Sequence, residues 1–143
     1  MDPSRKMDAV KLTPLRRISH PKGDILHGLK ASDADFDGFG EAYFSSIHHG
    51  EIKGWKKHVS MNMNLIVPVG LVRFHIHQPD LGTSVGYDIG ISNYCRLNIP
   101  PGYWFAFEGL STGTSLVLNL ANIEHDPEEV FSAALESYPM AYR

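Results

Sequence analysis

A single cysteine, Cys95, stands in the 143 residues, so neither an intrachain disulfide nor a cysteine-based metal cluster can form. That points to a reducing, cytoplasmic setting. Long apolar runs are also missing: the longest, LIVPVGLV at 65–72, falls far short of the roughly 20 residues needed to cross a bilayer. The leading MDPSRKMDAVKL is charged and holds no apolar stretch of signal-peptide length, so a soluble protein with no membrane partner is expected. Positive charge is not in excess either. Lys and Arg number 13 against 16 Asp and Glu, a formal net charge of -3, and without a global basic field nucleic acid is not an expected partner. There is no Walker loop, and GFGEAYF at 38–44 lacks the third glycine of a dinucleotide fingerprint. No internal repeat or low-complexity tract is visible.

What is present is a recurrence of short segments rich in β-branched and aromatic residues: EAYFSSI, EIKGWKKHV, MNLIV, LVRFHIH, SVGYDIGI, RLNI, YWFAF and TSLVLNLA. Turn chemistry punctuates them, in HHG, PVG, QPDLG, SNY, PPG and STG. Short strands at near-regular spacing predict an all-β antiparallel barrel or jelly roll, because a closed sheet hides the edges such strands would expose. Length fits one domain over residues 1–143, with 1–14 as an N-terminal arm.

Six basic residues fall early in the chain (Arg5, Lys6, Lys11, Arg16, Arg17 and Lys22), expected to be solvated or, alternatively, to meet a phosphate or a second subunit. ASDADFDGFG at 31–40 offers Asp33, Asp35 and Asp37, but no EF-hand offsets, so a solvated loop is expected. His48 and His49 are adjacent and face opposite sides of a strand, as exposed polar residues. Near the end, Asp126, Pro127 and Glu129 resemble a cap, first turn and capping box before VFSAAL, predicting one short C-terminal helix.

The stretch most suggestive of chemistry is RFHIHQPD at 73–80. Strand alternation puts Arg73, His75 and His77 on one face and Phe74 and Ile76 on the other. Two histidines on an inward face with a carboxylate can bind Fe(II), Mn(II) or Zn(II). GLVRFHIHQPD, with Gly70, His75, His77 and Asp80, loosely resembles the first motif of the cupin superfamily. Pro100, Pro101 and Gly102 resemble its second, but the ligand position three residues on holds Phe105.

GEIKGWKKH, NLIVPVGLVRFHIH, LNIPPGYWFAF and LVLNLANIEHDPEE, taken in order, resemble the dTDP-4-dehydrorhamnose 3,5-epimerase family, and HPKGDILHGLK resembles that family's Gly-Asp-x-Arg-Gly segment. These are metal-free cupins that act on nucleotide-linked 4-keto sugars. The resemblance runs from about Leu15 to Glu129, and its most specific piece is the IPPG turn. It implies a cupin-type fold, no cofactor and no metal, a nucleotide-sugar or carbohydrate ligand, and a homodimer formed through the sheets.

Residue by residue the chemistry departs. The family's Arg-Gly-Leu-His tetrad reads Lys53, Gly54, Trp55, Lys56, so the cation persists while the base position holds lysine, with His58 two residues on and on the same face. The enolate-stabilising lysine lines up with Asn64. NLANIEH, where the family's tyrosine acid would fall, has no tyrosine and begins at Asn119 once its leading residue is counted. The expected reading is a sugar-nucleotide epimerase or isomerase that moves a proton next to a ketone with relocated groups drawn from His75, His77, His58 and Lys56. Lys53, Trp55, Asn64, Arg73, Tyr87, Tyr103, Phe105 and Asn119 are the expected substrate contacts, with Trp104 beside them as a further pocket aromatic. Two alternatives remain open: a cupin that binds a nucleotide sugar without turning it over, and a metal-dependent cupin using His75 and His77.

Overall fold

The computed structural model describes residues 9–141, so Arg5 and Lys6 of the basic arm lie outside the described residues. In chain order the strands are β1 (Lys11–Pro14), β2 (Arg17–Ile18), β3 (Ile25–Leu26), β4 (Glu41–Ile47), β5 (Ile52–His58), β6 (Met63–Val69), β7 (Leu71–Gln78), β8 (Thr83–Gly90), β9 (Cys95–Ile99), β10 (Trp104–Gly109), β11 (Ser115–Ala121) and β12 (Val130–Ser132). Among the described residues they form two five-stranded antiparallel sheets, ordered β1-β9-β6-β11-β4 and β12-β5-β10-β7-β8, with β2 and β3 as a separate ribbon. The result is a jelly roll, in which the eight segments that alternate and end in turn residues are all strands. Lys11–Pro14, within the expected arm, pairs along β9 from Asn98 to Cys95.

The core lies between the sheets. Val72, Phe74 and Ile76 of β7 and Leu97 of β9 are fully buried there, with Met63, Leu65 and Val67 of β6 among them. Each such side chain contributes about 1.5–3 kcal/mol by leaving water. Two glycines carry the turns. Gly70, at φ 90, closes the β6–β7 connection, and a Cβ there would stand 2.1 Å from the Ser115 hydroxyl. Gly102, at φ 97, follows Pro101 in the IPPG turn, where proline presets the first corner and only glycine takes the second cheaply. Its amide donates to the His58 carbonyl at 2.7 Å, which ties this turn to the end of β5.

At the C-terminal side the capped turn forms, but as one 3-10 turn, Pro127–Glu129, with Asp126 accepting from the Glu128 amide. VFS then runs extended as β12 against β5, because its edge amides find partners along Val130 to Ser132 rather than within a helix. A second 3-10 turn, Leu135–Ser137, follows, and residues 133–141 lie across the outside of the β5-β10-β7-β8 sheet.

The acidic loop is not simply solvated. Arg96, 2% exposed, donates to Asp35 Oδ1 at 2.7 Å, to the Gly28 carbonyl at 2.8 Å and to Asn64 Oδ1 at 3.2 Å, and Asp33 stands 3.4 Å from it. Asp37 does accept at the surface, from Asn122. His48 and His49 are exposed, each held by one hydrogen bond to the 111–114 turn.

Candidate active site in the barrel

Between the sheets the core opens into a cavity of about 290 Å³, walled by β4, β5, β6, β7, β10 and β11. A β-bulge shapes its β5 wall. Phe105 pairs with Lys56 but Phe107 pairs with Lys53, so two residues of β10 span three steps of β5. Strict alternation would send Lys53 and Lys56 to opposite faces, whereas the extra residue puts both on the cavity side. Lys53 donates to the Ser46 carbonyl at 2.6 Å and sits 5.6 Å from the centre of the Phe107 ring.

His58, 5% exposed, lines the cavity at the end of β5. Its Nδ1 hydrogen-bonds Glu129 Oε2. The other carboxylate oxygen of Glu129 accepts from the amides of Ser60 at 3.0 Å and Met61 at 2.9 Å. Burial alone pushes the Glu129 carboxyl up, but the His58 imidazole and these two amides together hold it below the usual carboxylate range. An ionised Glu129 accepts the Nδ1 proton, which leaves Nε2 as the lone-pair nitrogen for a ligand. The Phe105 ring stacks on the imidazole, centroids 5.9 Å apart and planes 14° from parallel, and fixes its plane.

A phenol faces this dyad from the other sheet. Tyr43 of β4 lies opposite Asn119 of β11 in register, and the Asn119 Nδ2 donates to its hydroxyl at 2.9 Å. Both residues line the cavity. Burial raises the Tyr43 phenol above its ordinary range; the Asn119 hydrogen bond acts the other way, and the Glu41 and Glu129 charges add to the rise.

The structure therefore divides the residues singled out in the sequence. His58, Lys56, Lys53, Phe105 and Asn119 share the cavity. His75, His77 and Arg73 do not: on β7 it is Phe74 that faces the cavity and Val72 and Ile76 that join the core, so the opposite residues point outward. Arg73 is committed there to Asp88 by two hydrogen bonds of 2.7 and 2.9 Å. Trp55 also faces outward, its Nε1 donating to the Leu135 carbonyl at 3.0 Å, and Trp104 stands near it against Tyr138. Asn64 lies outside the other sheet under the acidic loop, while its neighbours Met63 and Leu65 face the cavity. Tyr103 is buried in the core and Tyr87 packs against it, away from the cavity lining. Sequence reasoning missed Glu129 and Tyr43 as site residues. Glu129 was legible as part of a capped turn, and Tyr43 only as one aromatic of a strand.

The outward histidines have a different use. His75 is fully buried, with Nε2 3.0 Å from Glu108 Oε1 and Nδ1 accepting from the Ala141 amide at 2.9 Å. The His77 ring stacks on Tyr138 at 4.1 Å. Both of His75's ring nitrogens are engaged, and among the described residues no three His, Cys, Asp or Glu gather to hold a metal ion. The inward two-histidine ligand set is thus corrected to an outward pair that fastens residues 138–141.

Burial pushes His75 and His77 below the ordinary histidine range; Glu108 and Asp88 pull His75 back up, and Arg73 adds to the fall. With folded pKa values lowered, the unfolded chain binds protons first, so stability is full above pH 6.5 and is lost as pH falls from there toward the folded values. Trp55 and Trp104, the two tryptophans, both abut Tyr138. Acidification from about pH 7 to about pH 5.5 is expected to lower the thermal midpoint and change tryptophan emission together. A midpoint that stays level across that window contradicts the fastening role.

Two antiparallel sheets closed round one ligand-sized cavity define a cupin. No family model matches this chain, and no curated protein matches it. Among solved structures, a dTDP sugar isomerase from Desulfovibrio desulfuricans G20 superposes with a TM-score of 0.87 at 30% identity, over 94% of this chain and 90% of that one. The chain belongs to the RmlC-like cupins and is a divergent, nucleotide-sugar epimerase/isomerase-like member. Two more distant structures share the fold. They are RmlC, the dTDP-6-deoxy-D-glucose-3,5-epimerase of Legionella pneumophila (TM-score 0.79, 19% identity, 94% of this chain and 80% of that one), and QdtA, a sugar 3,4-ketoisomerase of Thermoanaerobacterium thermosaccharolyticum (0.73, 20%, 85% and 86%).

Proposed function

We propose that this protein epimerises or isomerises a 4-keto sugar nucleotide by moving a proton at the carbon next to the ketone, with His58 as the base. The observation that carries this reading is His58 on the cavity wall, hydrogen-bonded at Nδ1 to the buried Glu129 carboxylate behind it. His58 Nε2 takes the proton from the α-carbon; the C–H electron pair becomes the carbon–carbon double bond, and the carbonyl pair moves to oxygen. The Tyr43 hydroxyl donates to that oxygen and offsets its charge. Delivery of a solvent proton to the same carbon from the other face, with His58 giving its own proton up to solvent, gives an epimer; return of the His58 proton to the former carbonyl carbon, with the neighbouring hydroxyl proton passing to the former carbonyl oxygen, gives an isomer. This assigns the proton-transfer work to His58 and Tyr43 and withdraws it from His75 and His77, which lie outside the cavity. Lys56, exposed at the rim, supplies a cation for the diphosphate rather than a base.

A cavity of about 290 Å³ matches a single sugar ring and leaves the nucleotide at the mouth. The dTDP-sugar isomerase relative supports a dTDP-linked sugar. The test is incubation with dTDP-4-keto-6-deoxyglucose in deuterium oxide, followed by NMR. Deuterium beside the ketone is the expected result. Tight binding with no exchange favours a non-catalytic binding cupin, and a stoichiometric transition metal in the purified protein reopens the metal reading.

The reading includes a homodimer. Phe44, 61% exposed, and the half-buried Leu116, Leu118 and Leu120 form an apolar outer face on β4 and β11 that a second copy can cover, with exposed Val69 beside Leu116. Phe44→Glu is expected to shift the sedimenting species from dimer to monomer without loss of fold. A wild-type chain that sediments as a monomer rules the dimer out.

A further inference from the structure

We infer that Asn119 is a positioning residue for Tyr43, holding the phenol oxygen so that its hydrogen is presented to the cavity. The inference rests on the reading of Tyr43 as the group that meets the substrate oxygen. Asn119 and Tyr43 are directly opposed on neighbouring strands, so the amide reaches the phenol without a bend in either backbone. Asn119 Nδ2 donates to Tyr43 Oη at 2.9 Å and approaches Met61 Sδ at 3.6 Å. An oxygen that already accepts must send its own hydrogen elsewhere. Among the described residues its one other neighbour in hydrogen-bond range is the same Met61 sulfur, 3.9 Å away, and a thioether is a weak acceptor. A ligand carbonyl entering the cavity therefore competes with very little.

The other end of the amide shows that stability alone does not account for it. Asn119 is 4% exposed, and its Oδ1 has no hydrogen-bond partner among the described residues. An unpaired buried carbonyl carries its full desolvation penalty, which an apolar side chain of the same size would remove. The chain keeps an amide where leucine would pack, at the one position opposite the cavity phenol. The charged and titratable groups around Tyr43 are Glu41 on its own strand, Glu129 from the turn, Lys53, Lys56 and His58 from β5, and His125 beyond β11.

The test uses Asn119→Leu and Asn119→Ala in the full chain, with Tyr43→Phe as reference. Tyr43 ionisation is read by ultraviolet difference spectra against Tyr43→Phe, exchange kinetics by deuterium incorporation, and folding by thermal melts. The leucine variant is expected to melt no lower than wild type, while Tyr43 titrates at higher pH. Its kcat is expected to fall roughly tenfold, a part of the 10²- to 10⁴-fold that a general acid contributes, with KM nearly unchanged. An unmoved Tyr43 titration in a folded variant overturns the inference, as does a marked loss of stability in both variants, which would make the role structural. If Tyr43→Phe itself exchanges at the wild-type rate, the reading of Tyr43 fails first and this one falls with it.

Discussion

His58→Asn is expected to slow deuterium exchange into a 4-keto sugar nucleotide by about 10²- to 10⁴-fold, with the thermal midpoint little changed. Glu129→Gln is expected to be nearly as damaging, although it removes no atom of the base. The reason lies in how Glu129 is held. Its Oε1 accepts two backbone amides, from Ser60 and Met61, and those donors require an acceptor in any variant. A glutamine must turn its carbonyl to them, which leaves its NH₂ facing His58 Nδ1. The imidazole is then forced to accept at Nδ1 and carry its proton on Nε2, the tautomer that cannot take a proton from the substrate. Measured exchange rates for both variants, with circular dichroism as the folding control, decide the matter. If Glu129→Gln exchanges within a fewfold of wild type, the dyad does not set the tautomer. If His58→Asn does so, the base lies elsewhere.

The turns and the eight main strands were legible because alternation, β-branched residues and Gly/Pro punctuation are local signals. What alternation does not say is which of two faces points in. In RFHIH the apolar pair Phe74 and Ile76 takes the interior, as elementary burial dictates, and the polar set Arg73, His75 and His77 goes outward. The histidines are nonetheless buried because residues 133–141 cross over them, a long-range contact with no sequence periodicity. The same limit applied to Asn64, whose neighbours Met63 and Leu65 hold the cavity face. The β5 bulge was illegible for another reason: one inserted residue changes the face of everything beyond it, and only the partner strand reveals the insertion. Tyr43 lines the cavity from β4, and Glu129 reaches it only through His58 from a turn far along the chain, a meeting that no local pattern announces. The resemblance sought a tyrosine in NLANIEH, and the structure supplies a phenol one strand across from Asn119, the asparagine just ahead of Leu120 in that stretch.

The largest stability effect is expected at Arg96, far from any proton transfer. Arg96→Met removes a guanidinium that is 2% exposed and leaves the Asp35 carboxylate, whose side chain is 9% exposed, without its cation. Breaking one side of a buried pair costs about 3–5 kcal/mol, because the remaining charge is stranded rather than merely released. Among the described residues Asp35 Oδ2 already lacks a hydrogen-bond partner, so none of them is a spare donor ready to take over. Urea unfolding of Arg96→Met, Asp35→Asn and the double variant forms a cycle that separates the pair from the packing. The double variant is expected to recover a substantial part of the Arg96→Met loss, since the asparagine carries no stranded charge; equal stability of Arg96→Met and the double variant would show that lost packing, not the ion pair, is responsible. The effect should also reach the cavity. The loop that Arg96 clamps runs directly into β4, and Gly40 at that junction donates its amide to the Ala121 carbonyl at 2.8 Å, with no room for a Cβ beside the Ile123 backbone. Three residues on stands Tyr43. Loosening the clamp therefore moves the strand that carries the phenol while leaving His58 and Glu129 in place, so the folded fraction of Arg96→Met should lose kcat in the same manner as a Tyr43 variant and not as a His58 one.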